Sequence, residues 1–162
     1  EPEMEQAIVS AVTHDTSEAK MTLAGVPDRP GVAATVFRAL ADQQVNVDMI
    51  VQNVSDHGVT DISFTVPHAD LARALEHTEL LATEVGAAGV SSDDTIARVS
   101  VVGAGMRSNP GVAATMFETL SVCGVNIQMI STSAIRVSCV VDGEQVEDAV
   151  RALHEAFSLH EA

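Results

Sequence analysis

Pro30-Gly-Val-Ala-Ala-Thr-Val-Phe-Arg-Ala-Leu40, running on to Val45-Asn-Val-Asp-Met-Ile50, recurs as Pro110-Gly-Val-Ala-Ala-Thr-Met-Phe-Glu-Thr-Leu120, running on to Val125-Asn-Ile-Gln-Met-Ile130. At an offset of 80, residues 30–50 and 110–130 agree at 12 of 21 positions, where unrelated segments share about one or two. The chain is a duplication, so its 162 residues divide into two modules of about 80 each. Modules this small bury little surface alone, and packing on each other or on a second chain is expected.

Inside the first copy the hydrophobic period changes twice. Ala33, Val36, Phe37, Leu40 and Ala41 fall on one helical stripe, and Pro30 suits the first helical position because its missing N–H would find no partner there. Then Val45, Val47, Met49 and Val51 alternate with Asn46, Asp48, Ile50 and Gln52, which predicts a strand over 45–54. Outward from this core, strands are predicted over 7–13 and 19–24, a turn over 25–31, a strand over 59–66, a helix over 68–81 and a short strand within 86–94. The order strand, helix, hairpin, helix, strand is βαββαβ, an α+β sandwich of antiparallel sheet with helices on one face.

The second copy repeats the plan with a strand over 96–103, a helix over 110–122, strands over 125–131 and 135–141, and a helix over 144–157. Ile62 aligns with Ile135 or Val137, so the second hairpin is about five to seven residues shorter. No closing strand follows the last helix. Either the unmatched strand over 7–13 fills that edge, or the natural chain continues past Ala162 and supplies it.

Composition narrows the function. The residues are 46% hydrophobic, with four Phe and no Trp or Tyr, which predicts a core of Val, Ala, Leu, Ile and Met. Eight Lys and Arg stand against 23 Asp and Glu for a formal charge of −15, which repels a phosphate backbone, and the sheet lacks stacking aromatics. Nucleic acid is therefore not an expected partner. Cys123 and Cys139 sit in apolar sequence without disulfide spacing, and there is no signal peptide, so a reducing cytoplasm fits. No apolar run reaches the roughly 18 residues a membrane helix needs. The six histidines are scattered without metal-ligand spacing. Met21, Met49, Met106, Met116 and Met129 sit at gap-filling core positions.

Two recurring features carry chemistry. The stretches Asp28-Arg-Pro-Gly31 and Ser108-Asn-Pro-Gly111 precede helices, whose starts present unpaired N–H groups that attract a carboxylate. Glycine at the second helical position lets a ligand's main chain approach; alternatively each stretch is a tight turn with Asn109 as N-cap. Asn46 and Asn126 each offer a donor and an acceptor, or simply open a strand after a turn. The run Val102-Gly-Ala-Gly-Met-Arg-Ser108 imitates a dinucleotide fingerprint but lacks its third glycine and a timely helix. No P-loop and no nucleophile–base or paired-carboxylate arrangement stands out, so catalysis by this chain alone is not expected and no cofactor is implied.

These residues, from Ser17 through Gly31, then Val45 through Ser55, Val102 through Met106, Asn109 through Val112 and Ile130 through Ser133, resemble the regulatory region of bacterial aspartate kinase. The resemblance covers nearly the whole chain. It implies tandem ACT domains of ferredoxin-like βαββαβ fold, with a first module over 16–94 and a second over 95–162 completed by the strand over 6–14. It implies feedback control of an ATP-dependent aspartate kinase catalytic subunit or domain lying outside these residues, at the first step of lysine, threonine and methionine biosynthesis. Met4 stands where a separate regulatory subunit would start, and family chains usually run beyond Ala162.

The resemblance also implies a homodimer in which the first module of one chain faces the second of the other, enclosing two kinds of effector site. The first comprises Asp28, Gly31, Ala33 and Gln52 with the partner's Asn126 and Ile127. The second comprises Met106, Ser108, Gly111, Val112 and Ala113 with the partner's Asn46 and Val47. Threonine, with or without lysine, is the implied effector. Two positions depart from the family: Ala134 replaces the Glu of a Ser-Thr-Ser-Glu-Ile-Arg motif, which removes a carboxylate suited to lysine, and Ala113 replaces a frequent Thr. A purely structural dimerisation subunit with degenerate sites is the alternative.

Overall fold

The computed structural model describes residues 8–53, 57–104 and 111–158. In order these form β1 (Ile8–Asp15), β2 (Glu18–Pro27), α1 (Val32–Asp42), β3 (Ile50–Gln52), β4 (Val59–Pro67), α2 (Leu71–Val85), β5 (Gly89–Asp93), β6 (Ile96–Ala104), α3 (Gly111–Val122), β7 (Met129–Thr132), β8 (Arg136–Asp142) and α4 (Val146–Ala156). The chain divides into two compact units, one spanning Ser17–Asp94 and the other running from Thr95 onward together with the segment that ends at Thr16.

Each unit holds one four-stranded antiparallel sheet. In the Ser17–Asp94 unit the order is β3-β4-β2-β5. Strand alternation sends Met21 and Leu23 of β2, with Ile62, Phe64 and Val66 of β4, to one face. There they meet Val32, Val36 and Leu40 of α1 and Ala74, Ala82 and Val85 of α2, all in one buried cluster. Phe37 meets Phe64 edge-on, with ring centroids 5.3 Å apart.

The other sheet runs β1-β6-β8-β7. Here β1 pairs antiparallel with β6 and takes the edge place that β5 takes beside β2. Because the chain contributes no strand after α4 among the described residues, a strand from before the first module occupies that edge. Val112, Met116 and Leu120 of α3 repeat the buried spacing of α1, and Ala149 and Leu153 of α4 complete the cluster over Val99, Val101 and Cys139.

Several local expectations need correction. Pro30 is not the first helical residue: α1 begins at Val32, and Gly31 precedes it at φ 94°, left-handed backbone that Pro30 could not continue into a helix. Residues 45–49 keep the predicted alternation of burial but lie outside the ladder, and β3 is only three residues long. Hydrogen bonds to one residue, Thr65, tie this stretch to β4: Asp48 N–H donates to the Thr65 carbonyl at 3.0 Å, Thr65 N–H to the Met49 carbonyl at 3.0 Å and Met49 N–H to Thr65 Oγ1 at 3.1 Å. The stretch 125–128 behaves likewise, with Gln128 N–H reaching the Val140 carbonyl before β7 begins. The helix predicted over 68–81 opens with a 3-10 turn at His68–Asp70 and runs on to Val85. The last helix likewise follows a 3-10 turn at Gly143–Gln145.

The shorter second hairpin is measurable. Ile50 pairs with Phe64, 14 positions on, and its counterpart Ile130 pairs with Cys139, nine positions on, so five residues are missing. Met21, Met49, Met116 and Met129 are buried core residues, while Met106 lies outside the described residues. Among the described residues no helix is long and apolar enough to cross a membrane, and no cluster of His, Cys, Asp or Glu could hold a metal ion.

The cysteines separate. Cys139 is buried in β8, and burial pushes its thiol up from 9.0 to about 12. Cys123 is exposed, because it falls in the turn after α3, beyond the last residue of the buried stripe. We predict that a thiol reagent labels Cys123 at once and Cys139 only on unfolding. The folded state holds the Cys139 proton more tightly than the unfolded chain does. Its contribution is therefore fully present below pH 9 and lost as pH rises from there towards 12. Rapid labelling of both thiols in the native protein would refute this.

Candidate functional site

The start of α1 is built by a turn that leaves it open. Asp28 N–H donates to the Gly58 carbonyl at 2.9 Å and Arg29 N–H to the Pro27 carbonyl at 3.1 Å, which carries the chain out of β2. Gly31 then takes its left-handed conformation, and its carbonyl accepts both Thr35 N–H and Thr35 Oγ1 at 3.0 Å. No side chain caps this helix, so its first N–H groups, which have no intrahelical partner, face outward at the positive end of the dipole.

Beside them is a hollow of about 350 Å³ lined by Arg29, Pro30, Gly31, Val32, Thr35, Glu84 and Val85. A Cβ built on Gly31 would meet nothing within 4 Å, so the glycine is required by its backbone angle and not by a close contact. Asp28 is exposed, and no side chain among the described residues pairs with its carboxylate. Donors for an anion and a carboxylate for a cation therefore belong to the same turn, a set that complements a zwitterion.

The second copy is similar but not identical. Gly111 is the first residue of α3, in ordinary backbone conformation, exposed and with open space where a Cβ would stand. Val112 is buried in the core, so only its main chain can serve a ligand, and Ala113 is half-buried. Met106 and Ser108, the other two expected members, lie outside the described residues.

In the Ser17–Asp94 unit the strand-entry asparagine does not line the hollow at the helix start. Asn46 is exposed and Val47 packs partly into the core. Gln52 is exposed on β3, which β4 separates from β2, and neither it nor Asn46 lines the hollow at Gly31. In the other unit Asn126 and Ile127 line an open hollow of about 450 Å³ with Phe117, Ser121, Gly124 and Val125. The structure thus places Asp28 and Gly31 on the turn that precedes α1, Ala33 in the first turn of that helix, and Asn126 with Ile127 on one hollow.

Arg29, Thr35 and Glu84 escaped the sequence reading although they line the hollow at Gly31. Thr35 had a signal, since Thr115 repeats it. Glu84 had none, because α2 lies outside the matching part of the duplication and only folding brings its end beside the start of α1.

Comparison with known proteins agrees with this architecture. The family model of the ACT domain matches residues 9–79 and 99–157. The aspartokinase of Mycolicibacterium smegmatis is 51% identical over 158 residues, covering 96% of this chain and 38% of that protein. The chain therefore spans well under half the length of the curated relatives it matches. Among solved structures, one of aspartokinase alpha and beta subunits is 48% identical with a TM-score of 0.88, covering 93% of this chain and 99% of the matched one. The ligand-free regulatory subunit of aspartate kinase from Thermus thermophilus is 42% identical with the same TM-score, covering 92% and 98%. Two four-stranded antiparallel units, each opening its first helix with the repeated glycine, place the chain in the ACT domain family, as a tandem ACT pair of the aspartokinase regulatory type.

Proposed function

We propose that this chain is an allosteric regulatory module that binds a free amino acid, threonine with or without lysine, and mediates feedback inhibition of an aspartate kinase catalytic domain. Its functional modules are residues 16–94 and 95–162, the second completed by the strand over 6–14. Two copies associate so that a helix start of one faces a strand-entry asparagine of the other: Asp28, Gly31, Ala33 and Gln52 with the partner's Asn126 and Ile127, and Met106, Ser108, Gly111, Val112 and Ala113 with the partner's Asn46 and Val47. The observation that carries this reading is the uncapped start of α1 beside the unpaired Asp28 carboxylate. An amino acid's carboxylate meets the helix N–H groups and its ammonium meets Asp28. Since Asn46 does not line the hollow at Gly31 of its own unit, ligand binding and chain association are linked on this reading, and an effector favours whichever arrangement it binds better.

Ala134 bears on the choice of effector. It stands at the tip of the β7–β8 hairpin, where Ser133 N–H reaches the Arg136 carbonyl at 2.8 Å and Ile135 N–H reaches Ser133 Oγ at 3.3 Å. The tip satisfies itself and offers no carboxylate at position 134 to an added ammonium, so lysine binds more weakly than threonine.

Thermal unfolding tests this directly, because a ligand of the folded state raises the midpoint by mass action. Threonine at 100 times its dissociation constant adds about 2.7 kcal/mol, and Asp28→Ala removes the shift. Lysine at the same concentration produces a smaller shift. No shift with either amino acid would favour the rival reading, a structural dimerisation subunit whose sites have decayed, for which Ala134 is the supporting observation.

A further inference from the structure

Val12 and His14 of β1 pair with Val101 and Val99 of β6, both members of the buried cluster, so His14 lies on the sheet face that the helices cover. Val12 packs against that cluster, whereas His14 is exposed. Where β1 and α4 come together, a hollow of about 310 Å³ is lined by His14, Val146, Glu147, Val150, Arg151 and His154. This volume falls within the range of small-ligand sites, about 300–1,000 Å³. The five α4 residues share one helix face. Val146 is buried and Val150 half-buried, which gives the hollow an apolar wall beneath a polar rim. Among the described residues neither imidazole nor the Glu147 carboxylate has a hydrogen-bond or ion-pair partner. Arg151 meets Asp148 of its own helix at 3.3 Å, with side chains 71% and 73% exposed, a tie that a better-placed anion displaces.

The fold itself does not require this set, because the other unit builds the same corner differently. Val146 and Leu71 each open a helix after a 3-10 turn, and aligning them sets Glu76 at the place of Arg151 and Glu79 at the place of His154. On the strands, Met21 precedes Thr22 as Val99 precedes Ser100, and Met21 pairs with Ser92 as Val99 pairs with His14. One serine and two glutamates therefore stand where this unit has two histidines and an arginine. In a chain with eight Lys and Arg and six His against 23 Asp and Glu, that convergence is chemically distinctive.

We propose that the hollow between β1 and α4 binds a small monocarboxylate with an apolar body. The carboxylate takes the Arg151 guanidinium as a forked partner and an N–H from an imidazole, while the hydrocarbon lies against Val146 and Val150. Glu147 at the rim repels a second negative charge, which disfavours dicarboxylates and phosphate dianions. None of these residues belongs to the effector sites proposed above, so the two readings stand or fall separately. A ligand held by β1 and α4 together also fastens that edge strand to its unit, because only the folded arrangement brings His14 beside Arg151.

Amide NMR titration of the 162-residue chain with isovalerate tests it. The signals of His14, Val146, Val150, Arg151 and His154 shift together and saturate. Isoamyl alcohol, which keeps the body without the charge, and methylsuccinate, which carries a second charge, each bind about tenfold more weakly. Arg151→Gln weakens isovalerate by about tenfold, with the rest of its spectrum verifying the fold. Glu147→Gln narrows the preference for isovalerate over methylsuccinate, and Asp28→Ala leaves isovalerate binding unchanged. Shifts that never saturate, or that saturate at other residues, overturn the site. A folded Arg151→Gln chain that binds isovalerate as the unsubstituted chain does overturns the carboxylate assignment. Leucine binding more tightly than isovalerate overturns the monocarboxylate in favour of a zwitterion whose ammonium meets Glu147.

Discussion

Replacing Phe64 by alanine is expected to cost about 3–5 kcal/mol of folding stability, the usual range for deleting a buried ring. Phe64 is fully buried at the centre of β4, and its ring meets the edge of Phe37 on α1. With four Phe and no Trp or Tyr in the chain, the neighbouring Val, Leu and Met side chains cannot supply a ring in its place. The corresponding place in the other unit, found by register and not by the offset of 80, holds Cys139. The two cores are therefore built differently, and the loss should fall on the Ser17–Asp94 unit. Urea unfolding of Phe64→Ala, compared with the unsubstituted chain, should show that unit melting at lower denaturant. A change below about 1 kcal/mol would contradict this account of the core.

Gly143→Ala is the second large expected loss, and its cause is backbone contact. A Cβ at position 143 would stand 2.6 Å from the Thr95 carbonyl oxygen and 3.3 Å from its carbon. The same oxygen accepts Gly143 N–H at 2.7 Å, and the adjoining Ile96 and Asp142 are paired across β6 and β8. Asp142 Oδ1 also accepts Glu144 N–H at 3.0 Å, which holds the turn from the other side. Neither backbone can retreat without breaking a hydrogen bond and shifting the ladder, so about 2–4 kcal/mol is expected to be lost. Gly111→Ala is the control, because its space is open and its backbone ordinary. There alanine should leave stability unchanged or raise it by about 0.5–1 kcal/mol, while weakening effector binding if the main chain at that position meets the ligand. Equal thermal midpoints for the two glycine variants would refute the contact argument.

Much of this protein was legible in the chain alone, wherever a pattern had a single physical solution. The βαββαβ order followed from periodicity, because a run of period 3.6 can bury one face only as a helix and a run of period 2 only in extended form. The duplication told more than either copy could. It matched Val36 and Leu40 with Met116 and Leu120, and all four are buried.

Where several conformations were compatible with the same residues, the reading failed or stopped. Pro30-Gly31 can open a helix or turn just before one, and what happens is the turn, with Gly31 in left-handed backbone. Residues 45–49 alternate like a strand because burial alternates, yet a ladder also needs a partner in register. Two hydroxyl pairs were invisible: Thr22 with Ser63 at 2.9 Å and Ser100 with Ser138 at 2.7 Å occupy matching places in the two sheets. Thr22 and Ser100 lie 78 positions apart and Ser63 and Ser138 lie 75 apart, neither at the offset of 80 that aligns the helices, so only strand pairing reveals the correspondence. Glu84 reaches the hollow at Gly31 for the same reason: local sequence dictates how a segment folds, whereas which segments become neighbours is decided by long-range packing. The repeat, the element order and the open helix start are properties of local sequence; the neighbours of that helix start, and the edge that β1 occupies, are properties of the assembled fold.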